Sequence, residues 1–279
     1  MQHSQEVALV LCASKGFDFA VGTTILSFLD KNSWFSGSII VYHDGLTVSS
    51  QKVLKKIYPL VEFAKFSYSP KKPKLTFSYW RFSKMVLARF EALNLLDRFD
   101  LLFFSDIDVI FTSSIEHLIY TEYDCGFLSG GTFSSNFLKP MPSQLEKFAE
   151  VPNASCGFYF IRNNLKDIFK SERSFQIYQQ ICTKLRLPEQ GVFNLIMIEA
   201  KTQFQSLDEK YASQDVSSNS IILHQSGASK IWDPKHIKFL KYYEKWQALG
   251  GAGIGSLFNT KKKVRIYISK VMLYLSRHF

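Results

Sequence analysis

The sequence predicts an α/β protein built on a doubly wound, mostly parallel sheet. The composition, 46% hydrophobic and 21% charged, is typical of a globular protein, and the length of 279 residues suits one large α/β domain with a small appendage or two compact domains. Apolar strands alternate with amphipathic helices as far as residue 111. The strands are continuously apolar rather than alternating, as in a sheet covered by helices on both faces.

The individual elements follow from local patterns. VALVLCAS at 7–14 is an unbroken apolar run and predicts a first buried strand. The stretch 19–32 has the spacing of an amphipathic helix. The later elements are, in chain order, a strand at 38–47 ending in a turn, a short helix at 50–60, a strand at 61–68, an amphipathic helix at 83–96, a strand at 101–111, a polar loop at 129–143, an apolar run at 155–161, a helix at 175–185, a segment at 188–200 and a last strand at 220–224.

Two aspartates interrupt the predicted strand LLFFSDIDVIF. Asp106 and Asp108 lie between two apolar runs, and burying unpaired carboxylates costs several kcal/mol. On an extended chain, residues two apart project from the same face. Doubly wound sheets bind ligands beyond the carboxyl ends of their strands, so this pair predicts a site for a hard cation with oxygen ligands. The alternative is a pair of ordinary surface or capping residues.

The last predicted strand ends in a histidine. His224 is followed at fixed spacing by Gly227, Lys230 and Trp232. The imidazole is a candidate third metal ligand, and the lysine a candidate point charge for a phosphate. A lone histidine is more often structural than a ligand, but the whole His–x–x–Gly–x–x–Lys–x–Trp spacing favours a site.

These two motifs together resemble a known family. SDID at 105–108 with HQSGASKIW at 224–232 is similar to the signature pair of family 8 retaining glycosyltransferases. These nucleotide-sugar enzymes have the GT-A fold and include bacterial lipopolysaccharide galactosyl- and glucosyltransferases. Further stretches agree in the same order, namely YHDGLT at 42–47, SYWRFSK at 78–84, SCGFYFI at 155–161 and EQGVFN at 189–194. The resemblance covers 7–234 and implies a GT-A catalytic domain over 1–250, followed by a hinge and tail at 251–279.

The resemblance implies a function and a set of site residues. A galactose or glucose would pass, with retention, from a UDP-sugar to a cell-surface lipooligosaccharide, lipopolysaccharide or capsule acceptor. A Mn²⁺ or Mg²⁺ ion would bridge the donor diphosphate, and its implied ligands are Asp106, Asp108 and His224. The residues implied to bind the donor are Ser14, Arg81, Asp106, Ile107, Gly227 and Lys230. The implied catalytic residues are Gln190, beside the anomeric carbon, Glu189 and Arg81.

The chain departs from the family pattern at several positions. Ile231 stands where the family has a proline, and Ser14 lies where it often has an acidic nucleotide contact. Glu189 and Gly191 each replace an aspartate. These changes leave the donor sugar open and do not touch the implied metal ligands. The polar stretch 129–137 is expected to border the donor and acceptor pockets, or to be a plain solvent loop.

The net charge of +10 is concentrated in the tail. Six cations and no acids follow residue 260, in TKKKVRIYISKVMLYLSRHF, and most of the apolar residues fall on one helical face. Such a helix suits the interface of an anionic membrane, with GGAGIGS as a flexible hinge before it. The alternative is a terminal helix docked on its own domain. The cations are not interleaved across a sheet and no nucleic-acid-binding signature occurs, which disfavours a nucleic-acid partner.

The remaining features concern compartment and alternative functions. Four scattered cysteines without a CxxC pair predict buried thiols in a reducing cytoplasm. No apolar run is long enough to cross a bilayer, so the expected location is peripheral, on the inner face of the bacterial cytoplasmic membrane. Two other functions stay open. One is an inactive nucleotide-sugar or glycan-binding protein. The other is a phosphatase of the haloacid dehalogenase type, because DIDVIF in this chain superficially resembles the nucleophile strand of that family.

Overall fold

The computed structural model describes residues 6–68, 81–215, 219–225, 230–232 and 236–254. Its strands are β1 (Val7–Ala13), β2 (Ser38–His43), β3 (Val61–Lys65), β4 (Leu101–Ser105), β5 (Val109–Phe111), β6 (Cys125–Thr132), β7 (Pro152–Arg162), β8 (Gln205–Leu207) and β9 (Ile222–His224). Its α-helices are α1 (Asp18–Lys31), α2 (Val48–Ile57), α3 (Ala88–Ala92), α4 (Ser171–Ile181), α5 (Pro188–Ala200) and α6 (Ile237–Ala248). Short 3₁₀ helices lie at Lys84–Leu87, Leu93–Asp97, Glu116–Tyr120, Phe133–Asn136, Ser143–Phe148, Asn163–Leu165 and Glu209–Tyr211.

Seven strands form one sheet in the order β3-β2-β1-β4-β7-β6-β8. Within it β7 is antiparallel to β4 and β6, and the other pairings are parallel. Successive residues of β1 face two separate apolar clusters, one against α3, α4 and α5 and the other against α1 and α6. The sheet is therefore covered on both faces, and the predicted mostly parallel, doubly wound architecture is confirmed.

The predicted helix at 83–96 is regular only at its centre. The structure divides it into the 3₁₀ turn at Lys84–Leu87, α3 and the 3₁₀ turn at Leu93–Asp97. Besides Leu87, Phe90, Leu93 and Leu96, the residues Met85, Ala88, Arg89 and Ala92 are buried as well. The segment thus mixes 3₁₀ and α turns and is buried on more than one side, rather than forming one regular amphipathic helix.

The predicted strand at 101–111 is also interrupted. β4 ends at Ser105, and β5 begins at Val109 in a different, two-stranded antiparallel sheet with β9. Asp106 and Asp108 thus lie in the bend between two sheets rather than on one extended strand. The expectation that an extended backbone aligns them was wrong in this respect.

The polar stretch at 129–137 is not a plain solvent loop. It completes β6 and forms the 3₁₀ turn Phe133–Asn136, in which both Phe133 and Asn136 are buried. The segment at 188–200 is α5, and Pro188 stands at the start of the helix, where a missing N–H costs nothing.

The last described helix belongs to the main fold. Trp246 of α6 is fully buried against α1, where a Cβ on Gly22 would lie 2.2 Å from the indole ring. The indole Nε1 donates to the carbonyl oxygen of Ala252 at 2.8 Å. Residues 255–279, with the last two residues of the predicted hinge and the basic tail, lie outside the described residues, so the boundary after residue 250 stays a prediction. Among the described helices none is long and apolar enough to cross a membrane.

Candidate active site

Strand pairing brings the two aspartates and the histidine together. The backbone N–H of Asp106 donates to the carbonyl oxygen of Gly157 in β7 at 2.9 Å. Asp108 immediately precedes β5, and the β5–β9 register places Val109 opposite His224. One ligand atom from each of Asp106, Asp108 and His224 lies within 4.8 Å of the others. The bend at the end of β4 and the end of β9 therefore meet at a single point.

The histidine ring is oriented towards the carboxylates. Nε2 of His224 lies 3.2 Å from Oδ2 of Asp106 and 3.3 Å from Oδ1 of Asp108. The ring is buried, and Nε2 makes no hydrogen bond of normal geometry among the described residues. A buried nitrogen without a partner, facing two carboxylates, is a suitable third ligand for a divalent cation such as Mn²⁺ or Mg²⁺. The three predicted metal ligands thus fit the implied ion.

A glycine makes room for this ring. A Cβ added to Gly157 would lie 2.7 Å from Cε1 and 2.9 Å from Nδ1 of His224. Gly157 belongs to SCGFYFI, one of the stretches that resemble family 8. Its missing side chain lets the imidazole approach β7 and face Asp106 and Asp108.

Arg89 was not identified from the sequence but lies at the centre of the charged cluster. Its guanidinium, 4% exposed, contacts Oδ1 of Asp106 and lies 3.3 Å from Oε1 of Glu189. It also donates to the carbonyl oxygen of Cys156. Burial opposes its charge, but the surrounding groups, Asp106 first among them, together outweigh burial and raise the pKa of Arg89 well above its usual value. The feature that could have identified Arg89 is its place among the buried positions of the segment 83–96.

The first turn of α5 carries Glu189 and Gln190. Burial raises the pKa of Glu189, and the charge of Arg89 opposes this. Nε2 of Gln190 donates to Oδ1 of Asn136 at 2.7 Å. Oε1 of Gln190 accepts from the backbone N–H of Cys156 at 3.4 Å. Gln190 therefore has a fixed orientation beside the strand that also contacts Arg89.

Buried amides extend this network. Nδ2 of Asn136 donates to Oδ1 of Asn153, and Asn194 bonds both the N–H and the carbonyl oxygen of Ala154, tying α5 to β7. Apart from the inclusion of Asn194 in the EQGVFN stretch, no sequence pattern pointed to these residues. Gly191 is closely packed, since a Cβ there would lie 2.5 Å from Cδ2 of Leu185. An aspartate at this position, as in the family pattern, does not fit the packing of this chain.

Lys230 joins the cluster from the segment that follows β9. Its Nζ contacts Oδ2 of Asp108 and lies 5.8 Å from the centre of the Trp232 ring. Burial alone would raise the pKa of the Asp108 carboxyl, but His224 and Lys230 outweigh it and hold the pKa well below its usual range. Gly227, predicted to let the diphosphate approach, lies outside the described residues.

The other predicted donor residues are placed differently. Arg81 is exposed, directly after the undescribed stretch 69–80, and makes no described contact with the cluster. Ser14, at the end of β1, donates its hydroxyl to that of Ser83 at 2.5 Å. Ile107 lies between the two aspartates, and its carbonyl oxygen accepts from the hydroxyl of Thr24 at 3.1 Å. Apart from Arg81, every predicted site residue that has a charged or imidazole side chain and lies in the described part of the chain is thus in or beside the cluster.

The charge state of His224 would make binding of an ion at this cluster dependent on pH. Burial lowers its pKa, but Asp106 and Asp108 outweigh burial and raise it to about 9, so the metal-free ring is protonated at pH 7. Because a metal requires the neutral ring, we expect Mn²⁺ affinity to rise between pH 6.5 and pH 9. The raised pKa also stabilises the metal-free fold below pH 6.5, and this contribution is lost as the pH rises through about 9.

Both effects can be checked by Mn²⁺ titration and urea unfolding at pH 6.5 and 9. His224→Gln should remove the pH dependence, whereas His117→Gln, outside the cluster, should retain it. An Mn²⁺ affinity that is flat with pH in the wild type would contradict a proton–metal exchange at His224.

No protein-family model and no curated protein matches the sequence. Among solved structures, the bifunctional glycosyltransferase WbbM is 14% identical with a TM-score of 0.64, over 89% of this chain and 51% of its own. This chain thus spans about half of WbbM. The galactosyltransferase LgtC, in complex with donor and acceptor sugar analogues, is 13% identical with a TM-score of 0.65, over 87% of this chain and 99% of its own.

A third similar structure is the glycosyltransferase GlyE of Streptococcus pneumoniae TIGR4. It is 13% identical with a TM-score of 0.58, over 91% of this chain and 66% of its own. At such low identity, the likeness concerns the arrangement of the backbone. The chain therefore has the GT-A fold of these glycosyltransferases, as its resemblance to family 8 implied.

Proposed function

We propose that this chain is a metal-dependent, retaining hexosyltransferase. It transfers galactose or glucose from a UDP-sugar to a lipooligosaccharide, lipopolysaccharide or capsule acceptor. The observation that carries the proposal is the convergence of Asp106, Asp108 and His224 with Lys230 at the carboxyl end of β4, where sheets of this class bind nucleotides.

The proposed chemistry assigns a task to each charged group. Breaking a sugar–phosphate bond builds negative charge on the leaving diphosphate, and a divalent ion held by Asp106, Asp108 and His224 would supply Lewis-acid stabilisation there. Lys230 adds a point charge at the same place. Arg89 is a positioning residue, because its guanidinium holds both Asp106 and Glu189.

The same arrangement favours one route to retention. Glu189 is engaged by Arg89 at 3.3 Å, and an acid at position 191 would require Leu185 to move. Gln190 is a poor nucleophile. We therefore favour attack by the acceptor on the same face as the departing diphosphate, with Gln190 orienting the sugar beside it.

Substrates, location and the tail belong to the same proposal. LgtC, which shares the fold, is a galactosyltransferase that was solved with sugar analogues as donor and acceptor. This supports a sugar donor and a glycan acceptor for the present chain. The six cations after residue 260 support attachment to the inner face of the cytoplasmic membrane, where a lipid-linked acceptor would be found.

The test is hydrolysis of a panel of nucleotide sugars with and without Mn²⁺. We expect Mn²⁺-dependent turnover of one UDP-sugar by the wild type and a loss of at least about 100-fold in Asp108→Asn, since a metal ligand is removed. Asp97→Asn is the matched control, because this exposed aspartate pairs only with Lys166 among the described contacts.

Each other outcome points to a different function. Metal-dependent nucleotide binding without turnover, over a panel of acceptors, would indicate the inactive sugar-nucleotide-binding protein instead. Release of phosphate from simple phosphomonoesters would favour the phosphatase, although the aspartate pair here follows the fourth strand rather than the first. No metal-dependent binding of any nucleotide would overturn the proposal.

A further inference from the structure

Lys230 and the proposed metal use the same carboxylate. Asp108 faces His224 with Oδ1 at 3.3 Å and contacts the ammonium of Lys230 with Oδ2. Its side chain is only 14% exposed and that of Lys230 is 20% exposed, so solvent screens the pair weakly. A divalent cation bound to Asp108 would therefore lie close to the positive charge of Lys230 unless that side chain moved away.

Without a metal, the cluster already has its counter-ions. Arg89 contacts Asp106, Lys230 contacts Asp108, and His224 faces both aspartates, so each aspartate has one basic partner besides the shared imidazole. The guanidinium of Arg89 is 4% exposed and also held by Glu189 and the carbonyl oxygen of Cys156. Lys230 is more exposed than Arg89, and a lysine side chain has a flexible four-carbon stem. It is the partner that can leave when a metal arrives.

We propose that Lys230 acts as an internal counter-ion that competes with the metal for Asp108, and that a nucleoside diphosphate relieves this competition by binding the displaced ammonium. The inference rests on the proposed function, because it requires a metal and a diphosphate at this site. Repulsion between the ammonium and the ion weakens metal binding to the free protein. Once the diphosphate takes up Lys230, the same lysine favours the loaded state.

The consequence is coupling between the two ligands. By thermodynamic linkage, the factor by which the diphosphate tightens metal binding equals the factor by which the metal tightens diphosphate binding. Lys230 contributes twice to this factor, by weakening binding of the metal alone and by contacting the diphosphate in the complex. The site would thus stay largely free of metal until the donor nucleotide binds.

The experiment is a titration of Mn²⁺ followed by the electron paramagnetic resonance signal of free Mn²⁺, with and without UDP. The proteins are the wild type, Lys230→Met and Lys15→Met. We expect Lys230→Met to bind Mn²⁺ alone about 10-fold more tightly than the wild type, and the tightening caused by UDP to fall by at least about 10-fold. Lys15→Met is compared without UDP. Lys15→Met removes a positive charge that follows β1 and has no described contact with Asp106 or Asp108. It therefore separates a general effect of protein charge on Mn²⁺ binding from competition at Asp108.

The outcomes separate this inference from the proposed function. If Lys230→Met binds Mn²⁺ alone no more tightly than the wild type, or no more tightly than Lys15→Met, the competition does not exist, while Mn²⁺ binding itself leaves the proposed function standing. If UDP tightens Mn²⁺ binding equally in the wild type and Lys230→Met, the coupling role is overturned. If no protein binds Mn²⁺ even with UDP, the inference and the proposed function both fail.

Discussion

Replacing Arg89 by methionine is expected to lower the free energy of unfolding by about 3–5 kcal/mol in the absence of metal. Two carboxylates, Asp106 and Glu189, and the carbonyl oxygen of Cys156 share this one guanidinium. Methionine fills a similar volume but leaves Glu189, 14% exposed, and Asp106, 35% exposed, without this guanidinium. Urea unfolding at pH 7 gives the change directly.

The chain offers a matched control and a rescue for this substitution. Arg98 makes a similar two-nitrogen contact with Glu62, but its side chain is 52% exposed. Arg98→Met is therefore expected to cost less than about 1 kcal/mol. Adding Glu189→Gln to Arg89→Met should recover part of the loss, because it removes one uncompensated charge. Equal costs at Arg89 and Arg98 would contradict the view that Arg89 holds the charged cluster together.

Replacing Gly157 by alanine is expected to weaken Mn²⁺ binding in the presence of UDP by about 10- to 100-fold, the usual cost of disturbing a group that orients a ligand. The new methyl group would lie 2.7 Å from Cε1 of His224, so the ring must move away from Asp106 and Asp108. The backbone carbonyl that accepts from Asp106 is retained. The change therefore acts on the third ligand while the two carboxylates stay in place.

Gly130→Ala is the control, because a Cβ there meets nothing within 4 Å. His224→Ala sets the limit for complete loss of the imidazole, and Gly157→Ala should approach it without a comparable loss of stability. An Mn²⁺ affinity unchanged by Gly157→Ala, together with a large effect of His224→Ala, would mean that the ring reaches the metal from another position.

Much of the fold could be predicted because local pattern and tertiary environment agree. β1, β2 and β4 lie between two layers of helices, and their unbroken apolar runs required such burial. The convergence of Asp106, Asp108 and His224 could also be predicted, since two aspartates inside an apolar run and a histidine at a strand end are costly unless they serve a site. Their roles as ligands remain part of the proposal.

Other features depend on tertiary contacts that leave little local signal. The break after Ser105 arises because β5 pairs with β9, a distant segment, and not from a turn residue between the aspartates. Arg81 was selected by motif order, whereas Arg89 occupies the centre of the cluster because it lies on the buried side of the segment 83–96. The amide contact of Gln190 with Asn136 joins α5 to the stretch 129–137, whose polarity alone suggested a loop.

The short strand β9 makes the proposed metal site sensitive to local opening of the chain. It has three residues, pairs with β5 and is bonded on its other side by Ser213, whose carbonyl oxygen accepts from the N–H of His224. Separation of this strand would withdraw the imidazole while the seven-stranded sheet stayed intact. Binding of an ion at the proposed site is therefore coupled to closure of β9, and a ligand that stabilises the bound ion also holds the strand in place.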